Sequence, residues 1–150
     1  MSEIKIPIQG KVLRGILTIP ERPIGLVIFA HGSGSSRLSP RNNHVAEELN
    51  KRNIATFLFD LLTNDEEKLD DMTTELRFDI LFLAERLIEV TRWIKMQKET
   101  KDLKIGYFGA STGSAAALVA DAKSGIKISA IVSRGGRPDL AAESLKSIKT

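Results

Sequence analysis

The 150-residue chain contains no cysteine. That absence excludes disulfides, thiolate-bound zinc and a thiol nucleophile, and it gives no sign of an oxidising compartment. Histidine is scarce, with His31 and His44 the only two. Neither they nor the scattered carboxylates show ligand spacing, so no metal or cofactor is expected. Long apolar runs are missing: "GLVIFA", "IATFLF" and "ISAIVS" are six residues each, whereas a membrane span needs roughly 20. The start "MSEIKIPIQG" has no basic segment leading into an apolar one, so no signal peptide is expected and the default location is cytoplasmic. Charge of one sign is not in excess either. There are 22 Lys+Arg against 19 Asp+Glu, a net +3, and stretches such as "NDEEKLDD" and "KMQKETKDLK" mix signs as solvated faces do. No basic patch is interleaved with aromatics, so neither nucleic acid nor a membrane is an expected partner. A phosphate loop with Gly-Lys-Ser/Thr is absent.

What is present is a core. Hydrophobic residues make up 42% of the chain, enough for one folded domain over residues 1–150. Alternation of Ile4, Ile6 and Ile8 with polar partners predicts strands over 3–9 and 12–19 with a turn near Gly10. Uniformly apolar segments predict strands covered on both faces at 25–30, 54–60, 103–109 and 127–133. Ser39-Pro40 predicts a helix start, with the helix running to about 50. The polar stretch 61–72 reads as a loop or surface excursion. A long helix is predicted over 73–97, with Leu76, Ile80, Leu83, Leu87 and Ile94 in one stripe widened by Ala84, Ile88 and Trp93. A further helix is predicted over 112–123, and a short helical pattern after Pro138 continues to Thr150. The order β-β-β-α-β-α-β-α-β-α implies a mostly parallel α/β sheet wrapped on both sides, with an antiparallel N-terminal edge. In such sheets ligands bind at the C-terminal strand ends.

One of those ends reads "KIGYFGASTGSAAA". A serine between Gly109 and Gly113, at a strand-to-helix junction, fits a sharp turn whose central residue has positive φ and whose neighbours must lack a Cβ. Ser111 is then projected above the sheet at a helix N-terminus, where the Thr112 N–H meets a developing oxyanion. A second N–H is expected from the glycine-rich loop "HGSGSS" after an earlier covered strand, with Ser33 the favoured donor. Gly32-x-Gly34 also begins a dinucleotide fingerprint, but the third glycine position is Arg37.

The strand order together with "HGSGSS", "GYFGASTGSAAA" and "SRGGRPDL" resembles the α/β-hydrolase superfamily, and within it the dienelactone hydrolase-type proteins. The resemblance extends over essentially the whole chain. It implies a three-layer α/β/α sandwich and a serine hydrolase in which Ser111 attacks a carboxylic ester, a lactone or a related small-molecule acyl substrate. In that family the chain order is serine, acid, histidine, with the last two carried by the last two strands. Here no histidine follows Ser111, and the later carboxylates are Asp121, Asp139 and Glu143. The domain is therefore expected to be C-terminally incomplete, with an open sheet edge that a second copy or a partner chain would cover. His44, in the first turns of a helix on the correct side of the sheet, is a candidate base, and Asp139, just past a strand end, a candidate acid. His31 reads as a loop-shaping residue and Asp60 as a loop-organising carboxylate. The alternative to a hydrolase is a non-catalytic binding module of the same fold, or a fragment completed by a partner.

Overall fold

The computed structural model describes residues 1–148. Six strands and four α-helices follow in the order β1 (Ser2–Ile8), β2 (Lys11–Thr18), β3 (Gly25–Ala30), α1 (Pro40–Asn50), β4 (Ile54–Phe59), α2 (Asn64–Thr73), α3 (Ile80–Met96), β5 (Ile105–Ala110), α4 (Thr112–Ser124) and β6 (Ile128–Arg134). They form one sheet with spatial order β1-β2-β4-β3-β5-β6. β1/β2 and β2/β4 are antiparallel, whereas β4/β3, β3/β5 and β5/β6 are parallel. The α/β class and the antiparallel N-terminal edge are as the sequence pattern implies.

The core lies in two layers. One face of the sheet packs Ile28, Phe57, Tyr107 and their neighbours against α3 (Leu83, Leu87, Ile94) and α4 (Ala115–Ala117, Val119). The other gathers Phe29, Leu58 and Phe108 against Ala46 of α1. The Ser39 side chain caps α1 by accepting from Asn42 N–H, and Pro40 opens the helix where no donor is needed. The β1–β2 turn places Gln9 and Gly10 at φ 46° and 76°, the left-handed pair that a two-residue hairpin requires.

Two expectations need correction between β4 and β5. Residues 64–72, read as part of a loop, belong to helix α2, started by a capping box in which Thr63 and Glu66 exchange side-chain and backbone hydrogen bonds. The long helix begins at Ile80 instead of 73, so Leu76 lies outside its stripe. Asp70 explains the break. Its carboxylate accepts from the N–H groups of Leu76 (2.9 Å) and Arg77 (3.0 Å), Thr74 turns left-handed at φ 57°, and the Asp79 side chain caps the new helix at Phe82 N–H. A carboxylate that takes up two loop donors outweighs the propensity of 74–79 to stay helical. The short helical pattern after Pro138 takes the form of two 3-10 turns, Pro138–Ala141 and Leu145–Ser147. The end of that pattern at Thr150 lies outside the described residues. β6 pairs with β5 alone among the described residues, and Val132 on it is 52% exposed.

Candidate active site

β5 delivers the chain to Ser111, whose backbone sits at φ 54° and ψ −122°. That region is open to glycine and costly for a side-chain-bearing residue. The surrounding contacts enforce it. A Cβ on Gly113 would lie 2.1 Å from Ala30 O and 2.6 Å from His31 O, inside the adjacent strand end. A Cβ on Gly109 would lie 2.5 Å from Ser114 Cα and 2.7 Å from Gly113 O, inside the helix that follows. At both positions a side chain would force the backbone to shift, at Gly113 the end of β3 and at Gly109 the start of α4. Ser114 Oγ donates to Gly109 O (2.8 Å), and Ser111 N–H donates to Arg134 O (3.2 Å), which fastens the turn to β6.

Ser111 occupies the N-cap of α4 yet makes no side-chain capping bond, and it is exposed. An ordinary N-cap serine turns its oxygen onto the N2 or N3 amide; the Ser111 hydroxyl makes no such bond. The first N–H groups of any α-helix lack intrahelical acceptors, so the Thr112 end of α4 presents positive dipole beside that hydroxyl.

The 31–36 loop closes over the turn. A Cβ on Gly32 would stand 3.2 Å from Ser111 Cβ, so loop and elbow are in close contact. Ser33 Oγ lies 2.8 Å from Thr112 Oγ1 and donates to Arg77 O at 2.9 Å. A hydroxyl has a single proton to donate. With Ser33's proton directed at a carbonyl, which can only accept, Thr112 must donate to Ser33. A cavity of about 60 Å³ sits here, lined among others by His31, Ser33, Leu61, Arg77, Leu83 and Thr112, but not by Ser111.

The two histidines are placed far apart in role. His31 is buried, its Nε2 accepts from Leu61 N–H (3.0 Å), and its Nδ1 lies 2.8 Å from Gly32 O. An amide donor at Nε2 requires the proton on Nδ1, which then donates to Gly32 O. Both nitrogens are engaged and the ring is neutral; burial pushes its pKa below the usual value, against the smaller opposite pulls of Gly32 O and Asp60. His31 thus ties the 31–36 loop to the start of the β4–α2 connection. His44 is exposed on α1, and no hydrogen bond among the described residues joins it to Ser111. Asp139 is 60% exposed and forms a two-point ion pair with Arg137 (3.1 and 3.0 Å), which holds its carboxyl below the usual range. Among the described residues, no hydrogen bond joins Asp139 to Ser111 either. Asp60 takes the Arg37 N–H and guanidinium at 2.7 Å each, a carboxylate that organises its loop.

Sequence reasoning missed Asp70, Arg77 and Gly136. Asp70 and Arg77 meet across a helix break that the periodicity concealed. A Cβ on Gly136 would fall 2.0 Å from Ser133 Oγ, a crowding that no local motif announces. Among the described residues, no group of three His, Asp or Glu side chains is arranged to hold a metal ion, and no helix is long and apolar enough to cross a membrane.

A strand-turn-helix with a strained, exposed serine, on a mixed sheet in this order, defines an α/β hydrolase fold. A crystal structure of dienelactone hydrolase from Anabaena variabilis superposes with a TM-score of 0.96 at 51% identity, covering 99% of this chain and 69% of that one. The chain belongs to the dienelactone hydrolase family. An esterase of Pyrococcus furiosus shares the fold, with a TM-score of 0.71 at 21% identity over 90% of this chain and 50% of that one. Curated relatives from two strains of Mycobacterium tuberculosis are 53% identical over 147 residues and carry the name "Putative phosphoribosyl transferase". The chain spans 32% of their length. No protein-family model matches the chain.

Proposed function

We propose that this chain carries the nucleophile of a serine hydrolase acting on a carboxylic ester or lactone. The observation that carries the reading is Ser111 at φ 54°, with its hydroxyl exposed at the head of α4 and uncommitted to a cap. In the reaction, Ser111 Oγ attacks the carbonyl carbon while its proton passes to a base. Thr112 N–H and a loop N–H near Ser33 receive the negative charge that develops on the carbonyl oxygen. The C–O bond of the ester then breaks, the alcohol leaves with a proton, and water hydrolyses the acyl-serine.

His31 is unsuited to act as the base, because its protonation would break the Leu61 bond. His44 is out on α1. The acid and the base are therefore assigned to polypeptide outside the described residues, docking along the open β6 edge as an extension of the chain, a second copy or a partner. The mycobacterial relatives, three times as long and named for phosphoribosyl transfer, support a module that works beside other polypeptide. The name describes those proteins, and nothing in the glycine pattern here favours a phosphate loop.

The engagement of both His31 nitrogens favours one second reading, a binding module of the same fold without catalysis. A fluorophosphonate probe, applied with the polypeptide that supplies the acid and the base present, separates the two. Covalent labelling that is lost in Ser111→Ala supports the hydrolase. A protein that is folded and stabilised by an ester analogue yet never labelled supports the binding module.

A further inference from the structure

Asp70 is 3% exposed and spends its carboxylate on one short segment. Oδ1 accepts from Leu76 and Arg77 N–H, and Oδ2 accepts from Arg77 Nε at 2.8 Å. Arg77 Nη2 returns to Asp70 O at 3.3 Å. The α2–α3 corner is thereby folded into a hook whose outward group is the Arg77 carbonyl. That carbonyl accepts the Ser33 hydroxyl, which in turn accepts from Thr112. A directed chain of hydrogen bonds, Thr112 to Ser33 to Arg77, thus joins the head of α4 to the glycine loop and both of them to the corner. Among the described residues, the other side-chain tie on the loop is His31, whose Nδ1–H meets Gly32 O at its N-terminal end. Gly34 is left-handed at φ 74° and exposed, and the backbone bond Ser35 N–H to Gly32 O (3.1 Å) is internal to the loop.

We propose that Asp70 and Arg77 are positioning residues. Through the Arg77 carbonyl and the Ser33 hydroxyl they set the distance between the 32–34 loop and Thr112, the two sides of the anion-stabilising pocket. Neither residue touches a reacting atom; each acts through Ser33. Donors aimed at a developing charge are effective only when held in place beforehand, and displacement by about 1 Å costs on the order of a hundredfold in rate. The consequence for rate rests on the oxyanion reading given above. The consequence for loop order does not.

The test compares Asp70→Asn, Arg77→Met, Ser33→Ala and Ser33→Thr with Glu66→Gln. The last variant breaks a different buried clamp of the same helix, one that has no bond to Ser33. Two quantities are read on each folded variant: amide hydrogen exchange of residues 32–36, and the rate of fluorophosphonate labelling. Asp70→Asn and Ser33→Ala are expected to speed exchange in the loop at least tenfold and to slow labelling by about ten- to a hundredfold. Ser33→Thr, which keeps the hydroxyl, is expected to restore both, and Glu66→Gln to leave both near wild type. If Asp70→Asn does not fold, Arg77→Met decides in its place; it is expected to change both quantities in the same direction but less, since Asp70 keeps its two backbone donors. Wild-type exchange and labelling in a folded Asp70→Asn or Arg77→Met overturns the proposal, as does a Glu66→Gln that loosens the loop equally. If wild type is never labelled with the polypeptide that supplies the acid and the base present, the hydrolase reading fails, and the exchange data alone decide whether the corner positions the loop.

Discussion

Glu66 and Arg86 meet at two points beneath α2, with Arg86 Nη1 at 2.8 Å from one carboxylate oxygen and Nη2 at 2.9 Å from the other. Arg86 also donates to Leu61 O, and Lys11 reaches the same carboxylate from β2. One carboxylate thus fastens α2 to α3 and to the N-terminal hairpin. Burial pushes the Glu66 pKa up, but the bonds from Arg86, Thr63 N–H and Lys11 outweigh it and bring the value from 4.5 down to about 2. A carboxylate with a depressed folded pKa stabilises the protein above its unfolded value and loses that contribution as pH falls through the folded one. Urea midpoints should therefore drop as pH goes from about 4.5 toward about 2. Glu66→Gln should cost about 3 kcal/mol at neutral pH and flatten that part of the profile. A wild-type midpoint that does not respond to pH in this window would contradict the pair's role.

His31 gives a second pH dependence, at higher pH. Its folded pKa lies below the usual 6.5 because the ring is buried. The neutral form supplies stability that is complete above about 6.5 and is lost as pH falls through the lower folded value. Nitrogen NMR should show the proton on Nδ1 and a bare Nε2 at neutral pH, since Leu61 N–H occupies the latter. His31→Phe should lose the Nε2 acceptor, leave the Leu61 amide unpaired and cost about 1–3 kcal/mol. A ring protonated on Nε2 would refute the assignment.

Two glycines separate crowding from backbone strain. At Gly113 a methyl group would be driven into Ala30 O at 2.1 Å. At Gly125, φ is 71° and nothing lies within 4 Å. Gly125→Ala should cost about 1 kcal/mol through the left-handed backbone alone. Gly113→Ala must displace the end of β3 and should cost several times as much, about 3 kcal/mol or more. Equal thermal shifts for the two variants would show that the elbow yields more easily than its close contacts imply.

The covered strands β3 and β4 were legible because they announce themselves as unbroken apolar runs, "GLVIFA" and "IATFLF"; "ISAIVS" has the same composition, yet among the described residues β6 lies at the sheet edge and only Ile128 on it is buried. The elbow was legible because its three constraints, a strand before, a helix after and glycines two residues either side of the serine, all fall within a dozen residues. The break between α2 and α3 was not. Leu76 continues the apolar spacing of Ile80 and Leu83, so periodicity alone carries the helix through 74–79. What stops it is the Asp70 carboxylate taking backbone donors six and seven residues on, which becomes visible only once the chain has turned. The capping box at Thr63 and Glu66 was readable as Thr-x-x-Glu, yet the acidic composition around it favoured a loop. Asp139 reads as an acid candidate from its place after a strand, and the sequence does not show that Arg137, two residues earlier, pairs with its carboxylate.

Ser111 offers the last prediction, because its backbone and its chemistry make opposite demands. At φ 54° and ψ −122° the residue occupies a region that glycine enters freely. A side chain there carries strain of about 1–3 kcal/mol, held in place by the packed glycines on either side. Ser111→Gly should release that strain and raise thermal stability by about 1–3 kcal/mol. Ser111→Ala keeps a Cβ in the same backbone and should leave stability nearly unchanged. Both variants should lose fluorophosphonate labelling. Stabilisation by glycine but not by alanine, with labelling gone in both, would mean that the fold bears a local cost to present a serine at this position. A solvent-facing loop serine without that function would have no reason to be kept there. If glycine destabilises the protein, the turn is not strained at Ser111, and the geometric basis for reading it as a nucleophile is removed.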